Sequence, residues 1–173
     1  MKKFTLLLLL TLLSLQAQIL TSPIDVMKES YGADIEVSKK NYLLHADEAA
    51  EVQKLAQLKL DTKIYRIYTA RKGDKILGYG VLVSRKVRAN TAVVLYTIHD
   101  DILQTIDIIA FNEPLEYVPT TTWQEQFNNV STEKYLQLNR EIPTITGATL
   151  SARSITDGSR LAFALYNTLL KGK

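Results

Sequence analysis

The strongest constraint on this chain is two-residue alternation sustained over residues 64–111. Ile64, Arg66, Tyr68 and Ala70 alternate with Tyr65, Ile67, Thr69 and Arg71, and Gly73-Asp74 then supplies a turn. A second run covers residues 76–83, a basic turn residues 84–90, and a third run residues 91–98. Asp100-Asp101 turns that run into a fourth, Ile102–Phe111. Period two is the spacing at which successive side chains reach opposite faces of a strand. The connections are too short for the crossovers that parallel neighbours need. The pattern therefore predicts an antiparallel meander of about four strands. Within it Gly78 and Gly80 flank Tyr79. Glycine inside a strand marks a bulge or the close approach of another group.

On either side the period changes. Ala49, Val52, Leu55, Ala56 and Leu60 recur at helical spacing over residues 47–60, with His45 or Asp47 placed to cap them. Ile155, Leu161, Ala162, Leu165 and Leu169 do the same over residues 152–170, and Gly172 follows as a stop signal. The outcome is a single α+β domain with both helices on the apolar face of the sheet. The connecting segments say less. Residues 18–41 are mixed, with Tyr31-Gly32 as a turn and a short strand over residues 33–37. Asn112-Glu113-Pro114 ends the fourth strand. Thr122 is placed to cap a short helix over residues 123–127, with Glu125 three positions on as in a capping box. Ser131 is placed to start another helix carrying Tyr135 and Leu138.

Residues 1–17 read as a signal peptide. Lys2 and Lys3 precede an apolar run over residues 6–13, and Ser14-Leu15-Gln16-Ala17 ends on a small residue. The mature domain then covers residues 18–173 and is periplasmic or otherwise extracytoplasmic. An uncleaved membrane anchor is the competing outcome, because Leu15 suits a cleavage site poorly; against it, the apolar run is short for a span. The whole chain carries 21 basic and 18 acidic residues, and losing Lys2 and Lys3 leaves 19 against 18. A near-neutral mature chain gives a nucleic-acid partner no support. There is no cysteine, which excludes disulfides, thiolate metal sites, thioether-linked haem and a lipoprotein anchor.

The most informative short stretch is Thr144-Ile145-Thr146-Gly147-Ala148-Thr149-Leu150-Ser151, immediately before the last helix. It is small or hydroxylated apart from Ile145 and Leu150. The N–H groups of a helix's first turn lack intrahelical partners and sit at the positive end of the macrodipole. Such a place binds anions, phosphates above all. Gly147 admits positive φ and close approach, and Ala148 adds little bulk. Two readings stand side by side: a phosphate site, or ordinary Thr and Ser helix caps worth about 1 kcal/mol each.

Thr146-Gly147-Ala148-Thr149, followed by Leu150-Ser151, resembles the flavinylation motif of the FMN-binding domain family. That family includes the flavin-carrying subunits of the Rnf complex and of the sodium-translocating NADH:quinone reductase, with many small exported proteins. The similarity extends over roughly residues 65–170. Gly78-Tyr79-Gly80 resembles the family's early strand; Asn112-Glu113-Pro114 and Trp123-Gln124-Glu125-Gln126-Phe127 resemble its middle signatures; residues 152–164 resemble its helix. The resemblance implies FMN joined through its phosphate to Thr149, attached by a separate flavin transferase that uses FAD and Mg²⁺. It implies an electron-transfer flavoprotein serving membrane-associated redox partners, with no catalytic residue and no metal of its own. Many members carry Asp six residues before the acceptor; this chain has Pro143 there, with Glu141 close by.

For the rest of such a site the residues leave choices open. Arg153 suits a phosphate, or an ion pair with Asp157 four residues on. Trp123, Tyr117 and Tyr79 are each either cover for a flavin ring or core. Glu113 and Glu116 either bond a ligand or face water. Arg85-Lys86-Val87-Arg88 either steers an acidic partner or blunts a hairpin tip. His99 with Asp100 and Asp101 makes a solvated turn or, less readily, a metal site. Two rival functions remain: an enzyme with Thr149 as nucleophile, which lacks an adjacent base, and a flavin-free secreted binding or scaffold module in which Thr146–Thr149 is only a helix cap.

Overall fold

The computed structural model describes residues 18–172, so the expected leader over residues 1–17 lies outside the described residues. The alternating region forms four long antiparallel strands. They are β3 (Ile64–Lys72), β4 (Lys75–Lys86), β5 (Thr91–His99) and β6 (Ile102–Phe111), joined in sequence order. The sheet is wider than four strands. β2 (Glu36–Leu43) adds to β3, and the two-residue β1 (Gln18–Ile19) adds to β6, giving the order β1-β6-β5-β4-β3-β2. A second two-residue strand, β7 (Val130–Ser131), also pairs with β6. β2 runs to Leu43, well beyond the short strand expected over residues 33–37. Its side chains are nearly all exposed, so it carries no inward-outward pattern; Lys39 and Lys40 are the charges expected on a free edge.

Both faces of the sheet are covered. On one face lies α4 (Thr149–Leu169), packed on β4 and β5, with α2 (Ala46–Ala56) against α4. Tyr65, Ile67, Val81, Val83, Val94, Tyr96 and Ile98 point into this core. On the other face lies α1 (Pro23–Tyr31), over Tyr68, Ala70 and Leu95. α1 lies in the segment whose sequence pattern is mixed, although Ser22 caps it, Pro23 opens it and Gly32 closes it. It explains the strand glycines. A Cβ on Gly80 would lie 2.7 Å from the Met27 sulfur, and one on Gly78 would meet the Tyr31 hydroxyl. α2 ends at Ala56, short of Leu60, because Gln57 takes a left-handed conformation; Leu55 is exposed. His45 is its cap, and its N–H donates to the Glu48 carboxylate at 2.8 Å.

α4 is held in register by Tyr96, whose fully buried hydroxyl donates to the Ile155 carbonyl at 2.8 Å. Gly158 leaves room for that hydroxyl. Two expectations between β6 and α4 need correction. Thr120, not Thr122, caps α3 (Thr121–Gln124), accepting from the Trp123 N–H at 3.3 Å; a 3-10 turn, Glu125–Phe127, follows. Three threonines in a row offer no local basis for choosing among them. No helix starts at Ser131. That residue is in β7, and the Thr132 N–H is taken by the Asp101 carbonyl at 2.8 Å. Among the described residues no helix is long and apolar enough to cross a membrane.

Candidate functional site

α4 begins earlier than its apolar spacing indicates. Thr149 is its first residue, and the N-cap is Ala148, which has no side chain able to cap. Neither Thr149 nor Ser151 is therefore the cap. The first helical bond is the Ala152 N–H to the Ala148 carbonyl at 3.1 Å. The N–H groups of Thr149, Leu150 and Ser151 precede that ladder at the positive end of a 21-residue helix. Gly147 has φ +81°, and a side chain there would find open space, so its constraint is the left-handed backbone alone.

This helix start forms one wall of a cleft of about 220 Å³. Gly147, Ala148, Thr149, Leu150 and Ser151 line it from α4 and the residues before it. Facing them are Val87 and Arg88 from the β4–β5 turn, and Glu113 and Tyr117 from the segment after β6. The Arg88 guanidinium lies 5.5 Å from the centre of the Tyr117 ring, a cation–π distance. Thr149 is exposed and Ser151 buried. The Thr149 hydroxyl donates to the Ile145 carbonyl at 3.2 Å, and that carbonyl also accepts the Ala148 N–H at 3.1 Å. An ester at Thr149 Oγ1 would remove the first donor and leave the second, so the carbonyl stays paired.

Glu113 has a defined task. Its Oε1 accepts the N–H of Arg88, Ala89 and Asn90 at 3.2, 2.7 and 2.8 Å. The bond from Asn90, with those from Ala89 and Arg88, holds its carboxyl below the usual carboxylate range, against the opposing pull of burial. Glu116 is exposed.

Several expected site residues lie elsewhere. Trp123 is buried, packs edge-on against Phe127, and donates its indole N–H to the Pro143 carbonyl at 2.8 Å. It is core that fastens the segment leading to Thr149, and it does not line the cleft. Tyr79 contacts Tyr166, 17 residues along α4, which puts it about 25 Å from the helix start. Arg153 is exposed and outside the cleft lining, as is Thr146. The alternative partner of Arg153 is also engaged, because Asp157 pairs with Arg160 at 2.7 Å. Glu141 accepts the Gln137 N–H at 2.9 Å, a local turn contact. The residues that the helix start does face, Arg88 and Tyr117, are 61 and 32 positions away. Arg88 was legible only as part of a basic tip, and Tyr117 only as one aromatic among three.

The donor set suits a phosphate. It combines backbone N–H groups at a helix N-terminus, the Ser151 hydroxyl and one arginine, with Tyr117 as a flat apolar neighbour. Among the described residues no group of three His, Cys, Asp or Glu side chains is gathered as metal ligands would be. No model of a known protein family matches this chain, and no curated protein matches it.

Proposed function

We propose that this protein is an exported electron-transfer flavoprotein carrying one FMN on Thr149. The observation that supports this most is the cleft. It places an exposed threonine hydroxyl, free helix N–H groups, an arginine and an aromatic ring around one small space. The motif that resembles the flavinylation signature lies on one wall of that space.

The attachment chemistry assigned to Thr149 is a phosphoryl transfer. Thr149 Oγ1 would be the acceptor for the FMN phosphoryl group of FAD, with the P–O bond to AMP broken and AMP as the leaving group. The hydroxyl proton passes to a base on the Mg²⁺-dependent flavin transferase, since no base adjoins Thr149 here. The N–H groups of Leu150 and Ser151 would hold the phosphodiester, and Arg88 would offset its charge. Bound FMN supplies electron transfer, and the chain tunes and presents it. The cleft is smaller than the roughly 300–1,000 Å³ of pockets that enclose a ligand. A ring held there would stay partly exposed, as suits a carrier working by contact with membrane-associated redox proteins. Covalent tethering also suits an extracytoplasmic protein, for which lost FMN is not readily replaced.

Intact mass after co-expression with a flavin transferase, measured on denatured protein, tests the reading. One esterified FMN per chain is expected. An unmodified mass, under conditions that modify an established acceptor protein, would sink it and return Thr149 to a purely structural place in α4.

A further inference from the structure

We propose that Glu113 is a positioning residue that clasps two walls of the cleft and thereby sets Arg88 against the ligand on Thr149. The ligand half of this rests on the flavin reading above; the clasp does not. Glu113 is only 8% exposed, yet it keeps a carboxylate where an apolar side chain would be the ordinary filler. Its chain position joins it to one wall. Pro114 follows it, and the 3-10 turn Leu115–Tyr117 closes with the Tyr117 N–H on the Pro114 carbonyl at 3.0 Å. Its side chain grips the other wall, where three successive N–H groups of the β4–β5 turn converge on one oxygen. Within that turn only the Val87 N–H is given to a turn carbonyl, that of Asn90, at 2.9 Å.

The geometry couples to Arg88 directly. Its own N–H is one of the three held, and its guanidinium rests over Tyr117, on the wall that Glu113 belongs to. Turn, carboxylate, 3-10 segment and cation–π contact form a closed loop of contacts around one side of the cleft. Releasing the carboxylate frees the turn backbone, and the guanidinium loses its fixed place over the ring. Glu113 touches no reacting atom in this role.

The test uses the mature chain with Glu113→Ala, Glu113→Gln, Arg88→Ala and the Arg88→Ala/Glu113→Ala pair. On unmodified protein, Glu113→Ala should speed amide exchange at Ala89 and Asn90 by about tenfold or more, with α4 unchanged. Glu113→Gln keeps a carbonyl acceptor but not the charge, so it should give a smaller increase of about two- to threefold, and if the alanine variant fails to fold that partial increase is the result required. On flavinylated protein, Glu113→Ala and Arg88→Ala should shift the flavin absorption bands and midpoint potential in the same direction. The double variant should add little to either, because both changes remove one arrangement. Unchanged exchange at residues 88–90 overturns the clasp. Faster exchange with fully additive flavin shifts, or with none from Glu113→Ala, overturns the coupling and leaves Glu113 a merely structural residue. If the unmutated chain takes no flavin, the flavin reading and the ligand half fail together, while exchange still decides the clasp.

Discussion

α4 begins beside the β4–β5 turn and ends beside the β5–β6 turn, and a cavity opens at each end. The one at the C-terminal end is the larger, about 440 Å³, bordered by Tyr79, His99, Asp100, Asp101, Tyr166 and Lys171. Its charges answer one another. Lys171 Nζ lies 3.1 Å from Asp101 and 2.6 Å from Glu133. At the N-terminal end the helix donors lie outside the hydrogen-bond ladder, and Arg88 pairs with no carboxylate among the described residues. The difference teaches that uncommitted polar groups, more than volume, mark where a charged ligand belongs. A cavity whose ions are already paired must give up those pairs before it can bind another.

Thr149→Ala is the sharpest way to break this comparison. It should remove all covalent FMN, whereas Lys171→Ala at the other end should leave a full complement, both read by intact mass. The exposed Thr149 hydroxyl bonds only the Ile145 carbonyl, which keeps a second donor, so stability should change by no more than about 0.5 kcal/mol. Full flavin mass on Thr149→Ala would move the acceptor elsewhere.

Next in size is the joint that both ends share. Gly→Ala in an open helix gains about 1 kcal/mol. At Gly158 the new Cβ meets the Tyr96 hydroxyl, which is fully buried and bonded to Ile155. Gly158→Ala should therefore cost about 1–3 kcal/mol in urea unfolding. A gain would mean that Tyr96 moves freely and that the two ends are not held by a common anchor.

A smaller effect should separate the ends again. Trp123→Phe removes the N–H that the Pro143 carbonyl accepts while keeping most of the apolar bulk. About 1 kcal/mol should be lost. Flavin attachment should slow, because the segment before Thr149 is less well fixed, while the Lys171 pairs persist. Attachment at the unmutated rate would show that Pro143 does not matter to presentation of Thr149.

The smallest effect belongs to Lys171→Ala. Its two ion pairs are exposed, so the drop in Tm should be slight and should vanish at high salt. Bonds to Glu133 and then Asp101 raise the Lys171 pKa. With a raised folded-state value, the pairing is complete below the ordinary lysine pKa and fades only as pH climbs through the raised one. Thermal melts at varied salt near neutral pH isolate it. A salt-independent loss would mean that the C-terminal cavity is better sealed than its exposure indicates.

What could be read from the sequence was whatever depends on near neighbours. The strands over residues 64–111 announce themselves because alternation and tight turns are local properties, and their antiparallel pairing follows from connection length. Local signals are also present at α1, where Ser22, Pro23 and Gly32 punctuate a helix within a few residues. β2 is different. A polar edge strand is defined by the neighbour it pairs with, so its own residues carry little pattern.

The sequence by itself determined that a hydroxylated, glycine-containing turn runs into a long helix, so that Thr149 stands at a helix start. Helix propensity, spacing and the left-handed freedom of Gly147 act within a few residues. Only the tertiary structure decided what that threonine faces. The register Ala92↔Phe111 between β5 and β6 sets Glu113 beside Asn90, and so brings the β4–β5 turn and the Tyr117 segment together. Trp123, favoured by its place in a family-like stretch, goes instead to the core, where its area is buried and its N–H finds the Pro143 carbonyl. Arg88 rather than Arg153 reaches the cleft because sheet register, a long-range property, chooses the partners of a helix end.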